Sequence, residues 1–195
     1  MFRGIIPEQS AAPRRKKIAA PREIAGGRLS IDWYNVLITV ESFLLGLPVF
    51  IAEDGVLRDS SATHGSYRTT TVTTHALEKI FGSLGAMSPA HVDAYLDAPI
   101  AFSGLMAEEV RQRLARMPCL SSVSLVASAD YPLKHGSEIV ATSDSVILDA
   151  APRILDLPRC VLQNGFGFTP PALRDAFPAP PPVPPQWSGS ETRAV

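Results

Sequence analysis

Cysteine is nearly absent: Cys119 and Cys160 are the only two in 195 residues. So low a count excludes a Cys-rich zinc site and argues against a disulfide framework; two half-buried thiols in a reducing cytosol are the expectation. An excess of charge of one sign is lacking too. The formal net charge is −1, which gives no argument for a strongly basic nucleic-acid surface, although a local groove can be basic while the total is neutral. There is no long apolar run. The most apolar stretch, residues 36–52, is broken by Glu41 and Pro48 and is too short to span a bilayer. No apolar run follows the N-terminal charges, so no secretory leader is expected. A cytoplasmic protein with no membrane partner is the expectation. Several motifs are missing as well. There is no Gly-rich phosphate loop ending in Lys-Ser/Thr, no dinucleotide fingerprint after the first strand and no Gly-x-Ser-x-Gly elbow. Asp32 is followed by Trp33 and Tyr34, so the second Asp of an aspartyl phosphatase is absent at that spacing.

What is present is a core. Hydrophobic residues make up 46% of the chain, enough for one sizeable domain. Residues 1–26, with the basic run Arg14-Arg15-Lys16-Lys17, read as irregular. Residues 169–195 are dominated by proline and read as a polyproline-like or disordered tail. Between them, residues 27–168 alternate. Short apolar strands are predicted at 28–33, 48–52, 91–96, 121–127, 139–142 and 159–163. Helical spacing is predicted over 35–45, 74–85, 103–117 and 143–151. Residues 57–72 read as a long polar loop. Strands alternating with helices imply a three-layer α/β/α fold with a mostly parallel central sheet. Ligands of such sheets bind beyond the carboxyl ends of the strands, where the strand order reverses.

That rule makes the acids informative. Asp32, Asp97 and Asp144 each follow an apolar strand, and Asp130 follows a fourth. Converging carboxylates repel one another and raise each other's pKa, and a divalent cation removes that cost. Oxygen ligands without Cys or His favour Mg²⁺ or Mn²⁺. Helix capping is the competing duty, since Asp is a favoured N-cap and strand-to-helix junctions are where caps occur. A second cluster, His64-Gly65-Ser66-Tyr67-Arg68, offers polar groups and an Arg suited to a phosphate, or else forms a surface turn. His75 and His91 fall in helix and strand patterns and read as structural or exposed.

Four segments in order resemble the NYN/PIN-like ribonucleases: Ile31-Asp32-Trp33-Tyr34-Asn35, Tyr95-Leu96-Asp97-Ala98, Ser128-Ala129-Asp130 and Val140-Ala141-Thr142-Ser143-Asp144. The wider stretch resembles the domain of unknown function 434 proteins, through Asn35-Val36-Leu37-Ile38-Thr39-Val40-Glu41-Ser42, His64-Gly65-Ser66-Tyr67-Arg68 and Ala141-Thr142-Ser143-Asp144-Ser145. The resemblance implies a PIN-like α/β/α fold and a Mg²⁺- or Mn²⁺-dependent phosphodiesterase acting on RNA. Asp32, Asp97 and Asp144 would hold metal. Asn35 would orient Asp32 or the substrate phosphate, and Asp130 would be a fourth acid. His64, Ser66, Arg68 and Lys134 would contact substrate. Trp33 stands where the likeness has a small Gly, and Leu133-Lys134 where a second acid is often found. These departures leave a second expectation open, a catalytically impaired module that binds RNA or a protein partner. Nothing in the sequence fixes the oligomeric state.

Overall fold

The structure is a computed structural model and describes residues 4–60, 69–136 and 138–177. Its centre is a parallel sheet of five strands: β1 (Arg28–Asp32), β4 (His91–Asp97), β5 (Leu120–Val126), β6 (Ile139–Ala141) and β7 (Arg153–Leu155). A separate antiparallel hairpin pairs β2 (Val49–Ile51) with β3 (Leu57–Asp59). The sheet order is β5-β4-β1-β6-β7. From β1 the chain builds outward through β4 to β5, then returns to the other side of β1 for β6 and β7. The order therefore reverses at β1.

Helices cover both faces, which gives the expected α/β/α layering. On one face α2 (Trp33–Leu44), α3 (Thr71–Met87), α4 (Ser103–Leu114) and α7 (Leu157–Phe166) close over Leu29, Ile31, Val92, Ala94 and Leu96. On the other face α5 (Asp130–His135) and α6 (Ser145–Ala150) bring Leu133, Ile147 and Leu148 against Val140 and Ile154. The alternation along β1 explains the division. Leu29 and Ile31 enter the larger core while Ser30 and Asp32, also buried, are turned the other way. Each fully buried aliphatic side chain contributes about 1.5–3 kcal/mol.

Three local differences from the sequence reading have plain causes. Residues 159–163, expected as a strand, lie in α7. Asp156 accepts a hydrogen bond from the Arg159 amide (3.2 Å) as N-cap, and Pro158 sits in the first turn, so the apolar run Cys160-Val161-Leu162 winds rather than extends. The last strand is instead β7. Residues 57–59 of the expected loop form β3, while 61–68 lie outside the described residues. Residues 8–17, expected to be irregular, form helix α1 (Glu8–Lys17).

Charge docks α1, beside a small apolar contact in which Ala11 is buried with Ile6 and Ala52. The Arg14 guanidinium is 5% exposed. It donates to Asp149 at 2.7 and 2.8 Å, to Asp54 at 3.1 Å and to the Ser145 carbonyl at 3.2 Å. Arg58 donates to the same Asp54 at 2.8 Å. The hairpin, α1 and α6 thus meet at the buried Arg14 guanidinium. Beyond α1, the Ala19 amide donates to the Ile154 carbonyl (2.7 Å), so residues 18–19 cover the outer edge of β7. Beyond α7, Ala172 bridges to Ile51, and α8 (Leu173–Ala176) packs on the hairpin. Residues 178–195, the rest of the expected tail, lie outside the described residues.

Arg14→Ala leaves a wholly buried Asp54 short of one cation, and a loss of about 3 kcal/mol in urea denaturation is the expected result. A loss below about 0.5 kcal/mol would show that this network does not hold α1 in place.

Candidate functional site

The reversal of strand order sits at the carboxyl end of β1, and Asp32 occupies that position. Its side chain is 6% exposed. The Thr142 hydroxyl, just past β6, donates to Asp32 Oδ2 at 2.8 Å and itself accepts from the Asp144 amide at 3.0 Å. One residue on, Ser143 donates to Asn35 Oδ1 from both its amide (2.7 Å) and its hydroxyl (2.9 Å). The Thr142-Ser143 step therefore clasps the start of α2 to the end of β6. Among the described residues, no acceptor takes the Asn35 Nδ2 protons.

Burial pushes the Asp32 carboxyl up to about 7, with the Thr142 hydrogen bond opposing it, the charges of Asp97 and Asp144 raising it further and the Asn35 amide pulling slightly down. That amide does not close a capping hydrogen bond of normal geometry. The two neighbouring acids are tethered differently. Asp144 is a true N-cap, accepting from the Val146 (2.8 Å) and Ile147 (3.2 Å) amides. Asp97 accepts from the Ala129 amide at 2.9 Å, tying the end of β4 to the loop after β5. Both are only half-buried. Among the described residues, no group of three or more His, Cys, Asp or Glu side chains is placed to hold a metal ion together.

The remaining sequence-identified residues divide. Asp130 opens α5 and pairs with Lys134 one turn on, at 3.4 Å, on the half-exposed rim. His64, Ser66 and Arg68 lie outside the described residues. Trp33 is 1% exposed and packs in the larger core beside Phe81, with ring centroids 5.5 Å apart, so its bulk goes into the core. His91 contacts Asp93 at 3.0 Å at the amino end of β4, and His75 stacks on Phe166.

Sequence reasoning gave no role to Thr142 and Ser143. Their signal was two small hydroxyls immediately before a strand-end Asp. Two exposed aromatic rings were missed as well. Phe102, 70% exposed, follows β4 in the left-handed region (φ 60°), which is uncommon and strained for a residue with a side chain. Tyr131, 73% exposed, follows β5 and lies against His135. An apolar cavity of about 470 Å³, lined by Ile5, Ile51, Leu173 and Phe177, lies elsewhere and includes none of these residues. Among the described residues, no helix is long and apolar enough to cross a membrane.

Comparison with known proteins corrects the family expectation. The matching family is described as Domain of unknown function (DUF5616), over residues 21–160. It is not the domain of unknown function 434 family, and no NYN or PIN family matches. The segments that carried the NYN/PIN likeness are short stretches bearing an acid at or just past strand ends; of those that carried the other likeness, residues 35–42 lie in α2 and residues 64–68 lie outside the described residues. A protein of Methanocaldococcus jannaschii named "Uncharacterized protein MJ0935" is 31% identical over 134 residues, 69% of this chain and 64% of that protein. The match thus spans less than two thirds of the relative's length. No solved structure matches.

The raised Asp32 pKa has a consequence for stability. The folded state holds this proton more tightly than the unfolded chain, so the contribution of Asp32 is fully favourable at low pH and is lost as pH rises from about 4 to about 7. Asp156, buried and pushed up to about 6, acts in the same direction. In chelator, Asp32→Asn is expected to match wild type near pH 4 and to exceed it by ~1–4 kcal/mol at pH 8 in urea denaturation. Equal stabilities at pH 8 would contradict the burial of an ionisable Asp32.

Proposed function

We propose that this chain, which belongs to the Domain of unknown function (DUF5616) family, is a Mg²⁺- or Mn²⁺-dependent nuclease that hydrolyses phosphodiester bonds of RNA at Asp32 together with Asp97 or Asp144. One observation carries the reading. Asp32 is an acid buried at the point where strand order reverses, with no cationic partner among the described residues and with Asp97 and Asp144 raising its pKa. Burial of this kind costs stability, and a bound cation would remove the cost.

The donors fit Mg²⁺ or Mn²⁺, being oxygens without Cys or His. They do not make an all-protein cage, since no three acids converge among the described residues. Mg²⁺ is commonly held by one or two carboxylates, with water and substrate phosphate completing the shell. Asp32 with Asp97 or Asp144 would serve as those ligands. When bound, the cation supplies an acidified water and offsets charge on the phosphate. The protein's own groups do the rest. Thr142 fixes the Asp32 carboxylate by donating to Oδ2, and Ser143 fixes Asn35 so that its Nδ2 protons are left for a phosphate oxygen. Lys134 exchanges Asp130 for phosphate at the rim. His64, Ser66 and Arg68 would add phosphate contacts. Phe102 and Tyr131 expose rings on which unpaired bases stack, which favours a single strand over a duplex. Two free thiols suit a cytoplasmic setting.

A second reading, a non-catalytic module that binds RNA or a protein partner, draws on the same lack of a three-acid group. Labelled single-stranded and duplex RNA separate the two. The nuclease reading expects cleavage of the single strand with Mn²⁺ that chelator abolishes. It also expects Asp32→Asn to lower kcat about 100-fold or more, and Phe102→Ala to raise KM with little change in kcat. RNA binding without cleavage in either metal would carry the second reading. Neither binding nor cleavage would overturn the RNA assignment altogether.

A further inference from the structure

The two edges of the central sheet are treated differently. Residues 18–19 lie along β7 and bond to it. At the other end of the order, β5 has β4 on one side and, among the described residues, no strand on the other. Natural sheets blunt an open edge with charge, proline, a bulge or a cover. Among the described residues β5 has no such device: it is seven residues long, Leu-Ser-Ser-Val-Ser-Leu-Val, uncharged and paired with β4 without a bulge over its whole length. Leu120 is 71% exposed and Leu125 45%.

Which backbone groups are open follows from the ladder. The Leu120 amide donates toward β4, to Ala90, and the Val126 carbonyl accepts from Ala98 on the same side. Backbone groups alternate along a strand, so Ser121, Val123 and Leu125 turn both N–H and C=O outward.

We propose that a second copy of this chain pairs antiparallel with β5 about a two-fold axis at Val123, joining the two sheets into one. This register uses every outward group. Val123 faces the partner's Val123, and Ser121 faces the partner's Leu125. In an antiparallel ladder each such facing pair exchanges both of its hydrogen bonds. On the alternate positions Ser122 meets the partner's Ser124 and Leu120 meets the partner's Val126, so serine meets serine and aliphatic meets aliphatic. Charge selects the direction. The amino end of β5 follows Arg116, just past α4, whose Arg111 and Arg113 are already paired with Glu108 and Glu109, whereas its carboxyl end reaches Asp97 and, beside it, Asp130 paired with Lys134. Antiparallel pairing sets the Arg116 end of each strand beside the other copy's Asp97 end. Parallel addition would set like beside like. The partner is isologous, as closed two-fold dimers require.

The test is sedimentation equilibrium of the full chain up to about 100 µM, with amide hydrogen exchange read at low and high concentration. A dimer is expected, with the Ser121, Val123 and Leu125 amides gaining protection as it forms. Ser121→Pro removes one outward N–H while leaving the β4-facing groups intact. It should weaken the dimer at least about tenfold with unchanged circular dichroism and Tm. A monomer at the highest concentration would overturn the proposal. So would a dimer in which those three amides gain no protection, a readout on the unmodified chain that does not depend on the variant folding.

Discussion

An acid buried where it would be cheaper to have none is the constraint around which this structure is arranged. Asp32 closes the central strand of the sheet, and the chain spends Thr142, Asn35 and Ser143 on holding that corner together. Each of those bonds joins β1 or α2 to the loop after β6, so the same contacts that orient the carboxylate also fasten the two halves of the sheet across the reversal. An amide in place of the carboxylate would keep much of that geometry without the cost of desolvating a charge. The acid is thus not explained by what it stabilises.

The architecture was legible because it rests on periodicity. Apolar residues at alternate positions gave β1, β4 and β5, and helical spacing gave α2, α3 and α4, each within a few residues of its observed bounds. Where the reading failed, a local signal competed with the apolar pattern. Asp156 and Pro158 turned residues 159–163 into a helix although their composition suits a strand. Helix α1 has no apolar stripe to detect, and Arg14 anchors it through acids 40 and 135 residues away, a long-range arrangement no local window shows.

For the candidate site, the strand-end rule picked out Asp32, Asp97 and Asp144 but not how each of them is held. Asp144 caps α6 with one oxygen, Asp97 ties two loops and Asp32 stands buried between them. Strand-end acids are not peculiar to one family, and the likeness built on them pointed to the wrong one. The hydroxyls of Thr142 and Ser143 gain meaning only once β6 lies beside β1, a neighbour relation set by topology. The sheet edges carry the same lesson. Pairing decides that residues 18–19 shelter β7 while, among the described residues, β5 is left with its outward amides open.

Isothermal calorimetry with Mn²⁺ at pH 7.5 tests the central claim most directly. The account expects a saturable site on the unmodified chain that is lost in Asp32→Asn and weakened in Asp97→Asn. Absence of binding at millimolar Mn²⁺, or binding that Asp32→Asn leaves unchanged, would contradict it.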